Sequence, residues 1–160
     1  MSKLKVSYDE LDNLAKIIYN KINPKFKPDI IIGIGSGGWL PAKLVNNYFD
    51  TEIESIRVSC YKDKCLSDIV ESSFSTINSS YIQNKKILII DDVNDTGTTL
   101  GYVIDKLYNL TCGEIKLFTA VLHHKNKKKK YDITIDNRSD YDYATSTGDI
   151  WIDYPWEISN

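Results

Sequence analysis

The chain has 160 residues, 42% of them hydrophobic, which is enough for one domain with a real core, so a single domain over residues 1–160 is expected. Its net charge is −2 with both signs spread along the chain, which argues against a nucleic-acid footprint. No apolar run approaches the length of a membrane span and Met1 to Lys5 holds no hydrophobic signal core, so a soluble, cytoplasmic protein is expected.

The first element is announced by Ser7-Tyr8-Asp9-Glu10, the spacing of a capping box, in which the serine hydroxyl and the glutamate each satisfy an orphan N–H of a helix's first turn. Leu11, Leu14, Ala15, Ile18 and Ile22 then fall on one helical face, and Pro24 and Pro28 close the helix. Nothing in this helix asks for a catalytic role. Asp29 to Ile34 reads as a buried strand running into Gly35-Ser36-Gly37-Gly38. Glycines around a serine let the backbone approach a ligand and aim its N–H groups inward, although many such turns merely redirect the chain. A helix through Leu44, Val45 and Tyr48 follows, then an alternating strand from Glu52 to Ser59. Lys62 to Ser80 is polar, rich in serine, and too long for a tight turn in a compact domain unless it has a function.

The stretch around which the chain is organised comes next. Ile87 to Ile90 is an unbroken β-branched and leucine run, as in a parallel-sheet strand buried on both faces, and it ends in the adjacent carboxylates Asp91 and Asp92. Beyond lie a third carboxylate, Asp95, and Thr96-Gly97-Thr98-Thr99, leading into a helical pattern through Leu100, Val103, Ile104 and Leu107. A loop of small residues feeding a helix N-terminus is an anion cradle by geometry and by dipole. Acids beside such a cradle would repel an anion unless hydroxyls or a cation lay between them, which favours a sugar phosphate with Mg²⁺ at Asp91 and Asp92. An ordinary strand–turn–helix connection with solvated aspartates would use the same residue types.

Glu114 to Leu122 gives a further strand, followed by His123-His124-Lys125-Asn126. Adjacent side chains on an extended chain point opposite ways, so the histidines read as packing or surface residues rather than joint metal ligands. The run Lys127 to Lys130 reads as a solvated loop that raises local positive potential. Tyr141 to Asn160 carries Trp151, Tyr154 and Trp156, and a tail this aromatic must be packed on something. Cys60, Cys65 and Cys112 show neither metal spacing nor a disulfide framework and read as reduced thiols.

From Ile89 to Thr99 the order is hydrophobic strand, two acids, two spacers, Asp-Thr-Gly, then Thr. This resembles the ribose-phosphate signature of the type I phosphoribosyltransferases, and the matches extend from Asp29 to Glu157. The resemblance implies an α/β fold: an open, mostly parallel sheet flanked by helices, with a small hood from the C-terminal segment. It implies a phosphoribosyl site of Asp91, Asp92, Asp95, Thr96, Gly97, Thr98 and Thr99, and a pyrophosphate loop of Ser36, Gly37 and Gly38. Purine enzymes of this kind often carry a basic residue where this chain has Ser36, so a lysine from elsewhere is expected to replace it. In the family a flap starts after a strand end like Ser59-Cys60-Tyr61, which would give the Lys62 to Ser80 segment a water-excluding role.

The resemblance narrows to the purine (hypoxanthine and xanthine-guanine) phosphoribosyltransferases. There a lysine just past the Glu114 to Leu122 strand donates to the purine 6-oxo group, and Lys125 matches it. Trp151-Ile152-Asp153-Tyr154-Pro155-Trp156-Glu157 resembles the C-terminal run of bacterial xanthine-guanine enzymes. That run implies that Trp151 covers the purine face and that the Ile152 carbonyl and Glu157 read the 2-position, whereas Trp156 reads as a residue that seals the core. The implied reaction is transfer from phosphoribosyl pyrophosphate to a purine base, a 6-oxopurine (hypoxanthine, guanine or xanthine), in purine salvage. Mg²⁺ is the cofactor, Asp91 and Asp92 hold the ribose hydroxyls or the metal, and Asp95 is the general base. A homodimer or homotetramer is expected, with no nucleic-acid or membrane partner. Two rivals stand beside this: a non-catalytic sensor of phosphoribosyl pyrophosphate, and an enzyme of the same fold acting on a pyrimidine, adenine or orotate.

Overall fold

Alternate residues of one strand enter different layers, and the architecture follows from that division. In the computed structural model, which describes residues 2–60, 69–72 and 77–157, the run Ile87 to Ile90 is fully buried. Leu88 and Ile90 join a cluster with Leu11, Ala15 and Ile18, whereas Ile87 and Ile89 join another with Val103, Ile104 and Leu107. Both faces of the strand are therefore covered, which is why it carries no polar alternation.

The elements are β1 (Lys3–Lys5), α1 (Tyr8–Ile22), β2 (Ile30–Gly35), α2 (Trp39–Phe49), β3 (Glu52–Cys60), β4 (Ile69–Ser72), α3 (Ser79–Ile82), β5 (Lys86–Asn94), α4 (Thr98–Leu110), β6 (Lys116–Lys125), β7 (Ser139–Thr147) and β8 (Trp151–Asp153). One sheet has the order β4-β3-β2-β5-β6-β7, parallel throughout except for the β3–β4 pair. Helices α1 and α2 cover one face, and α3 and α4 cover the other. The open, mostly parallel sheet flanked by helices is thus the one expected. Its central neighbours β2 and β5 present their C-terminal ends together, and both candidate loops leave from there.

Local chemistry explains the helix boundaries. Glu10 N–H donates to the Ser7 hydroxyl at 3.2 Å and Ser7 N–H to the Glu10 carboxylate at 2.6 Å, the reciprocal box that the spacing predicts. Asn78 caps α3 by accepting from Tyr81 N–H at 3.0 Å.

The structure changes or adds to the sequence reading at four places. The organising strand does not stop at Ile90 but continues to Asn94, because β6 goes on pairing with it: Asp91 lies opposite Val121, Val93 opposite His123, Asn94 opposite His124. The segment Lys62 to Ser80 contains strand β4, antiparallel to β3, and the start of α3. Residues 62–68 and 73–76 of the expected flap lie outside the described residues. The C-terminal hood is shared, since β8 pairs in parallel with β1, Leu4 opposite Ile152. Finally, the long strand β7 forms in a stretch where charged and tyrosine residues alternate without an obvious apolar face.

If the sheet is covered on both sides, Leu88→Ala and Ile89→Ala, which face opposite layers, should each lower the unfolding free energy by about 2–5 kcal/mol. Urea denaturation of the two variants checks this. A one-sided sheet would show a large loss for one variant and a small one for the other.

Candidate active site

The acid pair is assembled by a break in β-sheet regularity. Strict alternation would send Val93 to the side opposite Ile90, yet both pack on the α1 and α2 side. The pairing of β5 with β6 runs from Asp91 opposite Val121 to Val93 opposite His123, with no partner register at Asp92. There Asp92 N–H bonds to the Asp91 carboxylate at 2.9 Å and Val93 N–H to the Asp92 carboxylate at 2.7 Å. Side-chain oxygens stand in for ladder carbonyls, and neighbouring acids that a regular strand would splay apart interact. Burial pushes the Asp91 carboxyl well above the usual carboxylate range, and the Asp92 charge adds to it. The Asp92 carboxyl is raised too, again mainly by burial.

The glycine loop reaches this pair. The Gly35–Ser36 peptide is cis, Gly38 N–H returns to the Ile34 carbonyl at 2.7 Å, and Trp39 N–H donates to the Ser36 carbonyl at 3.2 Å. Gly37 lies so close to the Asp92 carboxylate that a Cβ there would push that carboxylate aside. The two sequence-predicted cradles are therefore one site. The strand register sets Arg57, an exposed residue of β3, beside Gly35.

Asp91 through Leu100 line a cavity of about 300 Å³. Gly97, with φ 82°, caps α4 in the left-handed region and accepts from Gly101 N–H at 2.9 Å. Thr96 and Thr98 hydroxyls are 3.0 Å apart, so the helix N-terminus is rimmed by hydroxyls as well as N–H groups. Asp95 sits at the mouth, with its carboxylate 3.6 Å from Lys125 Nζ and 3.0 Å from Lys127 Nζ. Lys125 is buried and Asp95 half-buried. Asp95 and Lys125 are thus neighbours, joined by an ion pair.

The C-terminal residues are brought in through Tyr154. Its hydroxyl donates to the Asp92 carbonyl at 3.1 Å and meets His123 Nδ1 at 2.8 Å. Trp156 stacks on Tyr154 with ring centres 4.7 Å apart, the core role expected of it. Trp151 is 55% exposed, Ile152 is buried and Glu157 exposed. Partial desolvation, with the charges of Asp92 and Asp153, raises the Glu157 carboxyl. His124 turns the other way from His123, onto the Tyr141 hydroxyl at 2.7 Å and the Tyr143 ring. Among the described residues no metal cluster includes these histidines.

One sequence reading is corrected. Lys127 to Lys130 is not a uniformly solvated run: Lys128 and Lys130 are exposed, but Lys127 and Lys129 turn inward. Lys127 joins Asp95 to Asp149, the latter at 2.9 Å. Lys129 Nζ donates to the carbonyls of Asn94 and Asp95 at 2.8 Å and Lys125 at 2.7 Å, and burial lowers its pKa. Period-two inward alternation was the available signal, masked because all four side chains are lysine.

The profile of the phosphoribosyl transferase domain family matches residues 3–148. The chain is 29% identical to xanthine phosphoribosyltransferase 1 of Saccharomyces cerevisiae, over 99% of this chain and 91% of that protein. It is also 29% identical to a hypoxanthine-guanine phosphoribosyltransferase of Schizosaccharomyces pombe, over 99% of this chain and 90% of that protein. Among solved structures, a purine phosphoribosyltransferase from Pyrococcus horikoshii Ot3 matches with a TM-score of 0.75 and 29% identity, covering 100% of this chain and 97% of that one.

A carboxyl that is harder to ionise in the folded chain than in the unfolded one costs stability above its unfolded pKa, about 4 for aspartate. Asp91→Asn, which keeps the oxygen that accepts from Asp92 N–H, should therefore raise the melting temperature of the metal-free protein at pH 7. The gain should shrink as pH falls towards about 4, where the unfolded acid is also protonated. Calorimetry in EDTA across that range checks this; an equal melting temperature at pH 7 would show that Asp91 carries no desolvation cost.

Proposed function

The chain belongs to the phosphoribosyl transferase family, and from that premise we propose that it transfers the phosphoribosyl group of phosphoribosyl pyrophosphate to a 6-oxopurine (hypoxanthine, guanine or xanthine), in purine salvage. The observation that carries the reading is the Asp95–Lys125 pair, 3.6 Å apart beside the threonine loop. A 6-oxopurine presents its 6-oxo oxygen and N7 side by side on one edge. Lys125 donates to the oxygen, and Asp95 faces the imidazole ring. Relatives named for xanthine and for hypoxanthine-guanine support the same substrate class.

In the proposed reaction the purine N9 bonds to the anomeric carbon as that carbon's bond to pyrophosphate breaks. The proton released from the imidazole ring passes to the Asp95 carboxylate, a general-base contribution typically worth about 10²–10⁴-fold. The N–H groups and hydroxyls of Thr96, Gly97, Thr98 and Thr99 hold the 5′-phosphate. Ser36, Gly37 and Gly38 hold pyrophosphate, with Arg57 opposite the preceding Gly35. The exposed indole of Trp151 covers the purine face, the Ile152 carbonyl and Glu157 read the 2-position, and Asp91 and Asp92 hold the ribose hydroxyls.

The acid pair also fits Mg²⁺. Both side chains are hard oxygen donors, burial penalises their bare charges, and among the described residues neither has a basic ion-pair partner. Asp91 and Asp92 would hold that ion, whose charge offsets that of the leaving pyrophosphate when bound. The reading includes a cytoplasmic location, in keeping with the free thiol of Cys112.

Incubating the protein with phosphoribosyl pyrophosphate, Mg²⁺ and each nucleobase in turn should yield nucleotide with 6-oxopurines and not with adenine, orotate or uracil. Asp95→Asn should keep donor binding and lower turnover by about 10²–10⁴-fold. Silence with every base, despite donor binding, would overturn the reading, and near-normal turnover of Asp95→Asn would remove Asp95 from its role.

A further inference from the structure

Strands β5 and β6 end together, at Asn94 and Lys125. Past a strand end the ladder no longer satisfies main-chain carbonyls, and buried ones need another donor. Here a side chain from outside both strands supplies the donor for the carbonyls of Asn94 and Asp95, and shares the Lys125 carbonyl with the main-chain N–H of Lys127 at 2.9 Å. An ammonium has three N–H donors, and those of Lys129 are matched by three carbonyls, of Asn94, Asp95 and Lys125 at 2.8, 2.8 and 2.7 Å. Charge-assisted bonds of this length are the stronger kind. Among the described residues Lys129 makes no ion pair, whereas its neighbour Lys127 spans two carboxylates. Its cation is committed to backbone.

We infer that Lys129 is a positioning residue: its ammonium pins the Asn94–Asp95 backbone to the end of β6 and so sets the spacing of Asp95 from Lys125. The inference rests on the phosphoribosyl-transfer reading, in which those two side chains serve one edge of the purine. The adjoining contacts separate this role from phosphate binding. The next carbonyl along, that of Thr96, accepts from the main-chain N–H groups of Lys130 at 2.9 Å and Tyr131 at 3.1 Å. Main-chain donors survive any ordinary substitution at position 129. Loss of the Lys129 ammonium therefore loosens Asp95 against Lys125 while the threonine loop keeps its own support.

Lys129→Met removes the ammonium and keeps the bulk of the side chain. With the wild type turning over a 6-oxopurine, this variant should lose about 10²-fold in kcat/KM for the purine, the scale of a 1 Å misplacement of reacting groups. Its affinity for phosphoribosyl pyrophosphate, measured by calorimetry, should stay at the wild-type value. In Lys129→Ala, added propylammonium should restore part of the lost kcat/KM. Lys128→Met, at an exposed position in the same tract, should behave as the wild type. Wild-type kcat/KM in Lys129→Met would overturn the inference. So would a loss that falls equally on donor affinity and purine turnover with no rescue by the amine, which is the signature of a merely structural residue. Should the Met and Ala variants fail to fold, Lys129→Arg and Lys129→Gln decide: Arg retaining more purine kcat/KM than Gln supports the role, and equal values overturn it. A wild type silent with every 6-oxopurine fells the phosphoribosyl-transfer reading, and this inference with it; an active wild type with an unaffected Lys129 series fells the inference alone.

Discussion

Two ionisable carboxyls held side by side at the end of a strand with both faces buried are the constraint from which the rest of the site follows. A regular strand would turn Asp91 and Asp92 to opposite sides. Here the ladder is interrupted at Asp92, side-chain oxygens take over the N–H groups of Asp92 and Val93, and the carboxyls are brought into each other's field. The interruption works because the neighbours absorb it. Gly37 has no Cβ to obstruct the Asp92 carboxylate, and the Tyr154 hydroxyl holds the Asp92 carbonyl from the other side. The glycine loop, the acid pair and the C-terminal hood are thus parts of one arrangement centred on Asp92.

Such an arrangement is costly in the free protein, since burial disfavours the ionised form of both acids. Whatever binds there and prefers the ionised acids, whether ribose hydroxyls or a divalent cation, recovers that cost on binding and stabilises the fold by mass action. The cost falls at the C-terminal edge of the parallel sheet, where ligands of open α/β folds bind. Stability comes instead from the strand interiors and the two helical layers, which the acids leave untouched.

The capping box of α1, the doubly buried runs of β2 and β5, the amphipathic face of α4 and the small-residue loop at its start were legible in the sequence because each is a local pattern with a local cause. That the two cradles lie at one sheet edge was legible too; the direct approach of Gly37 to the Asp92 carboxylate was not, since it joins residues of two different strand ends. The inward turn of Lys127 and Lys129 was hidden by composition: four like side chains in a row carry no hydrophobic contrast, and only the carbonyls at the strand ends distinguish them. Strand β7 escaped because its inward positions hold tyrosines and small polar residues in place of aliphatic ones. The pairing of β1 with β8 joins segments at opposite ends of the chain, a contact that no local pattern records.

The most direct test of the account is a crystal structure of the protein with inosine 5′-monophosphate bound. The account predicts the 5′-phosphate on the N–H groups and hydroxyls of Thr96 to Thr99, the ribose hydroxyls at Asp91 and Asp92, and the base between Lys125 and Trp151. A monophosphate docked away from the threonine loop, with the acid pair facing no part of the sugar, would contradict it.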